Sequence, residues 1–277
     1  MTINATGNRM TSEIARQSQL AQDIERTQIS ISTKKRIQTA SDDPVAAARI
    51  ATIAQAQSDS TTWSGNLSFA QAQSAQSDTI LSSLSNGIIR AREIMVAGAS
   101  ATATISDRAV YANELRSIAA DVASFRATKT SSGEPLFAPG SAAQLRVGNG
   151  VLLAPVDSAV NIFERAGVPL TQDLTDAATA LASGDATKIG AALDRVSTGI
   201  DHVSDAAADQ GLRAARVDKA IERSATHGID LAAERSGLED TDLTTAIAKL
   251  NSQQLTLDAA QASFARINRR TLFDILV

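Results

Sequence analysis

The sequence predicts a mainly α protein: an elongated antiparallel helical bundle of the coiled-coil type, with its N- and C-terminal helices paired and a small β-hairpin tip in the middle of the chain. Three observations predict it. Near the C-terminus, Leu243, Ile247, Leu250, Gln254, Leu257, Gln261, Phe264 and Asn268 step alternately by four and three, the spacing of a coiled-coil seam. Near the N-terminus, Met10, Ile14, Gln17, Ala21, Ile24, Gln28 and Ile31 repeat the same spacing. Each stripe is narrow and interrupted by polar residues, so neither helix is stable alone and each is the natural mate of the other. Finally, aromatic residues make up only 3% of the chain while Ala, Ser, Thr and Gln fill its periodic stretches. A compact core draws on aromatic and large aliphatic side chains, whereas long thin helices need fewer of them.

The elements follow in order. After the N-terminal helix, Ser41-Asp42-Asp43-Pro44 is a helix start: an aspartate caps the free amides and the proline ring presets φ, so Asp42, Asp43 and Pro44 are read as cap residues. From Pro44 to about Ala99 a very long helix carries Leu67, Ala70, Ser74, Ser77, Leu81, Leu84, Ile88, Ala91 and Met95 on one stripe, with Trp63 as a packing anchor. The stretch 98–107 breaks it. Ser106 and Asp107 are expected to cap the next helix, which passes through Val110, Leu115, Ile118, Val122 and Phe125 to about Lys129. Beyond Thr130 the prolines and glycines concentrate. Apolar runs at 145–147 and 151–153 flank Gly148-Asn149-Gly150, which reads as a hairpin turn; no Lys-Ser/Thr pair follows to make a phosphate loop. A short helix over 171–182 ends at Gly184, and a second long one starts near Ala186 and keeps the four-three step from Ile189 to Ile221. The expected division is 1–40 and 237–277 as assembly helices, 41–130 and 169–236 as the two halves of a helical rod, and 131–168 as the hairpin tip.

Composition narrows the chemistry. The chain has no cysteine and two histidines, His202 and His227, placed far apart, so no disulfide, thiolate metal site or acid-base set is expected; neither is a cofactor. Lys34, Lys35 and Arg36 read as a solvated helix end. The net charge of −4, with both signs dispersed, gives no reason to expect nucleic acid. No apolar run reaches the roughly 18 to 20 residues of a membrane-spanning helix, and the first residues lack the apolar core of a cleavable signal peptide. An enzyme is not expected.

Three separated stretches carry a resemblance. Ser32–Ile50 (STKKRIQTASDDPVAAARI) resembles the N-terminal signature of the flagellin superfamily, and its SDDPVAA run is closer to the hook-associated protein 3 family of junction proteins than to filament flagellins. Ser131–Pro139 (SSGEPLFAP) is similar to the stretch leading from helices into the β part of that family. The C-terminal LTLDAAQASFARINRRTLFDIL is similar to the family's C-terminus. The resemblance implies a non-enzymatic structural subunit of the bacterial flagellum, at the junction of hook and filament. It implies export through the flagellar type III channel without a cleavable signal, and an extracellular location. The partners it implies are a second hook-associated protein, flagellin, further copies of the chain, and an export chaperone. A short flagellin, or a cell-surface flagellin homologue that binds a polysaccharide, is the alternative. The residues expected to carry assembly are Met10, Ile14, Ile24 and Ile31 at one end, and Leu243, Ile247, Leu250, Leu257, Phe264, Ile267, Leu272 and Phe273 at the other.

Overall fold

A computed structural model describes residues 2–274, with the side chains of residues 10–266. Its elements are α1 (Thr2–Thr33), α2 (Pro44–Ala99), α3 (Ile105–Arg126), β1 (Leu145–Gly148), β2 (Val151–Leu153), α4 (Ala159–Phe163), β3 (Glu164–Arg165), β4 (Val168–Pro169), α5 (Leu170–Ser183), α6 (Ala186–Glu239) and α7 (Leu243–Asp274). The chain is mainly α, with long packed helices, paired terminal helices and small antiparallel hairpins. It forms two compact units, one of Met1–Gln57 with Ile229–Val277 and the other of Ser58–Gly228.

The central unit, Ser58–Gly228, holds the fully buried core. Leu81, Leu84, Ile88 and Met95 of α2, Leu115 and Val122 of α3, Leu174 and Leu181 of α5, and Ile189, Val196 and Val203 of α6 share one cluster. Alanines at 91, 112, 177, 178 and 192 are buried among them, which lets the helices approach closely. Gly98 marks the closest approach: a Cβ there would stand 2.6 Å from Leu181 Cδ2. Val110, expected on the stripe of α3, is instead 62% exposed.

The β segment is tied into the same core. The rings of Phe137 and Phe163 meet edge to face at 5.1 Å. Ser74 Oγ and Gln210 Nε2 both donate to the Pro155 carbonyl, at 3.0 and 3.1 Å, and Arg213 pairs with Asp157 at 2.8 Å. Two polar members of the long-helix stripes are therefore explained by the segment they hold. β1 and β2 pair antiparallel around Asn149-Gly150, as the apolar runs predict. β3 and β4 make a second hairpin, whose turn places both Ala166 and Gly167 at positive φ, 50° and 77°, the backbone of a two-residue primed turn.

Helix starts obey local chemistry. Asp43 Oδ1 accepts from the Ala46 amide at 3.0 Å with Pro44 opening α2, while Asp42 Oδ2 accepts from the Gln38 and Thr39 amides and closes the preceding turn. For α3 the cap is Thr104 rather than Ser106: Thr104 and Asp107 form a reciprocal capping box, which puts the helix start two residues earlier than a Ser106 cap allows. Asp185 and Asp242 cap α6 and α7 singly, each carboxylate accepting from the amides two and three residues on. Hydrogen bonds to their carboxylates hold Asp107, Asp185 and Asp242 below the ordinary aspartate value of 3.8. Their stabilising effect is present above that value and is lost as pH falls through the lowered one.

Two glycines of α2 should respond in opposite ways to alanine. Gly65→Ala meets nothing within 4 Å and should stabilise by about 0.5–1 kcal/mol through helix propensity. Gly98→Ala must displace the packed Leu181, costing about 1–3 kcal/mol, which outweighs that gain. Midpoints of urea unfolding followed by circular dichroism should move up for the first and down for the second.

Candidate assembly interface

In the unit formed by the two ends of the chain, α1 and α7 lie antiparallel, with Thr27 beside Gln253 and Lys34 beside Thr241. The inward positions are Gln17, Leu20, Ile24, Thr27 and Ile31 on α1, and Ala246, Leu250, Gln253, Leu257, Ala260 and Phe264 on α7. Both series step by three and four. Only Thr27 and Ala246 are fully buried; the rest are half-buried, as expected where just two helices face each other.

This seam shares Gln17, Ile24, Ile31, Leu250, Leu257 and Phe264 with the expected one and differs at every alternate position. Leu20 takes the place of Ala21, Thr27 of Gln28, Ala246 of Ile247, Gln253 of Gln254, and Ala260 of Gln261. The physical reason lies in packing. Two four-three series that share every second member cannot be separated by period alone, and hydrophobicity favours Ile247 over Ala246. In the pair, the small Ala246 and Ala260 occupy inward positions of α7 beside α1. The polar pair between them is matched: Thr27 Oγ1 donates to Gln253 Oε1 at 3.0 Å and also lies 2.8 Å from the Asp23 carbonyl.

The displaced positions form a surface. Ile14 is 51% exposed and Ile247 49%, and Ala21, Gln28, Gln254 and Gln261 are exposed with them; Met10, seven residues before Gln17 in the shared series, is 46% exposed. At about 3.6 residues per turn the displaced positions lie roughly 60–100° round from the inward direction of their own helix, in the same rotational sense. In an antiparallel pair that sense turns both helices toward one side. Met10, Ile14 and Ala21 of α1 and Ile247 of α7 therefore lie on the same side of the pair, Ile247 toward the opposite end from Met10 and Ile14. Leu243, 39% exposed, stands at the start of α7. Ile24, Ile31, Leu250, Leu257 and Phe264 belong to the seam, and Ile267, Leu272 and Phe273 have side chains outside the described residues.

Other singled-out residues have local roles. His202 Nε2 is 3.2 Å from the Ile162 carbonyl, and His227 is exposed. Lys35 pairs with Glu239, and Arg36 with Asp43 and the Leu238 carbonyl. Among the described residues no group of three or more His, Cys, Asp or Glu is placed to hold a metal ion, and no helix is long and apolar enough to cross a membrane.

Residues 193–276 match the family described as the bacterial flagellin C-terminal helical region, so the flagellin-superfamily resemblance of the sequence stands. Among curated proteins the chain is similar to flagellar hook-associated protein 3 of Salmonella typhimurium, 27% identical over 149 residues. That match spans 54% of this chain and 44% of the relative's length. Among solved structures, its fold is shared with a putative flagellar hook-associated protein from Vibrio parahaemolyticus, with a TM-score of 0.65 at 17% identity over 72% of this chain and 100% of that one. It is shared as well with flagellar hook-associated protein 3 from Legionella pneumophila, with a TM-score of 0.60 at 13% identity over 68% and 98% of the two chains.

The matched polar pair of the seam gives a test. Thr27→Val strands the Gln253 amide and should lower the protection of α1 amides against hydrogen exchange by about 1–3 kcal/mol. Adding Gln253→Leu should restore most of it, because both partners are then apolar.

Proposed function

We propose that the chain is a structural, non-enzymatic subunit of the bacterial flagellar axis, acting at the junction between hook and filament. It assembles by packing its terminal helices against those of neighbouring subunits. The observation that carries this reading is the half-buried α1–α7 seam, with exposed Met10 and Ile14 near one end of that side of the pair and exposed Ile247 near the other. A two-helix pair has nothing of its own to cover them. Folding of the terminal pair is completed by association, so neighbours that bind the folded pair also stabilise it. Ile24, Ile31, Leu250, Leu257 and Phe264 serve both purposes, filling the internal seam while bordering that side. The neighbours are a second hook-associated protein on one side, flagellin on the other, and further copies of the chain between. Delivery is by the flagellar type III route with an export chaperone, to an extracellular position. The similarity of the fold to solved hook-associated proteins and the match of residues 193–276 to the flagellin C-terminal region support this reading.

Seeded polymerisation of the purified chain checks it. The chain alone should stop at short rings or remain monomeric. Long filaments growing from seeds would instead identify a short flagellin. Removal of Arg270–Val277 should leave the helical signal of the central unit and its unfolding midpoint intact while abolishing incorporation at the hook end. Normal junctions and swimming in a strain carrying that deletion would overturn the proposed mode of assembly.

A further inference from the structure

The two turns that connect α1 to α2 and α6 to α7 are bound to each other. The Arg36 amide donates to the Glu239 carbonyl at 2.7 Å, and the Thr241 amide donates to the Lys34 carbonyl at 2.9 Å. Arg36 Nη2 adds a bond to the Leu238 carbonyl at 2.9 Å. Lys34, the residue that ends α1, sits at φ 59°, a left-handed conformation usually left to glycine or asparagine at a helix end. A lysine there is strained, and the surroundings must hold it.

The Thr241 amide holds the Lys34 carbonyl, and the Glu239 side chain braces the next residue, Lys35. The Glu239 side chain is only 12% exposed and stands between Lys35 Nζ on the first turn and Arg235 Nε, at 2.8 Å, one helical turn back on its own helix α6. Arg235 in turn reaches Gln57 Oε1 of α2 at 3.0 Å. Both hydrogen bonds keep the Glu239 carboxyl below its ordinary range. One carboxylate thus links the turn after α1, the end of α6 and, through Arg235, α2. The neighbouring pair Arg49–Glu234 joins α2 to α6 without touching either turn.

We propose that these two turns form a single latched hinge, in which Glu239 fixes the α1–α7 pair against the adjoining ends of α2 and α6, and without which the pair stays folded but swings as one body. The geometry of the turns carries this inference, independently of the flagellar reading. The backbone bonds join the first turn to the second and to the last residue of α6, whereas the Glu239 side chain adds the tie from Lys35 through Arg235 to Gln57 of α2.

The absence of native cysteine makes the test direct, since two introduced cysteines in the full chain can carry spin labels. One pair, Ala21→Cys with Val45→Cys, reads α1 against the start of α2. A second, Gln28→Cys with Gln254→Cys, reads α1 against α7. All four positions are exposed. The otherwise native chain should give one narrow distance for each pair. Glu239→Gln should broaden the Ala21–Val45 distance and leave the Gln28–Gln254 distance narrow. Glu234→Gln, which removes the neighbouring ion pair, should leave both narrow. An Ala21–Val45 distance that stays narrow in Glu239→Gln overturns the latch. So does a Gln28–Gln254 distance that is lost in that variant, since Glu239 would then support the pairing of the helices and not their attachment.

Discussion

A narrow apolar stripe on a long helix must find another stripe, and every part of this structure answers that constraint. The central unit answers it with four helices, so that Leu84, Ala91, Met95 and Leu115 lose all or nearly all contact with solvent. The two ends of the chain have only each other. Two facing helices can cover a seam but not its flanks, which is why Ile24, Ile31, Leu250 and Leu257 remain half-buried while equivalent residues in the central unit are sealed. The difference is geometric, because the stripes have the same period and similar composition.

Polar residues in the stripes become intelligible in the same terms. Ser74 and Gln210 occupy stripe positions in the central unit because the Pro155 carbonyl enters there and needs donors. Thr27 and Gln253 occupy stripe positions at the ends because they satisfy each other. Leaving a buried amide without a partner costs more than replacing the pair by apolar groups, so such pairs specify register more than they add stability. Register is the quantity in question here: the two candidate seams differ by one residue at alternate positions, and the Thr27–Gln253 pair exists in only one of them.

The joint between helices places a second demand on local chemistry. Helices of this length can be stopped cheaply by glycine, and Gly184 does so at the end of α5 with φ 70°. At Lys34 the chain instead uses a residue that resists the required conformation and surrounds it with backbone bonds and a shared carboxylate. Geometry held from outside in this way depends on its supports.

Much of this was legible in the residues. Alternation by three and four, Asp43-Pro44 at a helix start, Gly184 at a helix end and Asn149-Gly150 between apolar runs are local rules, and the sequence by itself determined the long helices, the first hairpin and the antiparallel mating of the two ends, but not the short helix α4. What only the tertiary structure decided was which side of each terminal helix faces inward. Ile14 and Ile247 outrank Glu13 and Ala246 on hydrophobicity, yet the inward choice depends on how closely two backbones can approach and whether Thr27 and Gln253 meet. The capping box at Thr104 and the clasp at Glu239 were hidden for related reasons. Ser106 and Thr104 are both plausible caps until the backbone turns, and Lys35 and Glu239 are separated by the whole excursion of the chain. Period and propensity act between neighbours along the chain, whereas close approach, polar matching and ion pairing act between segments that only folding brings together.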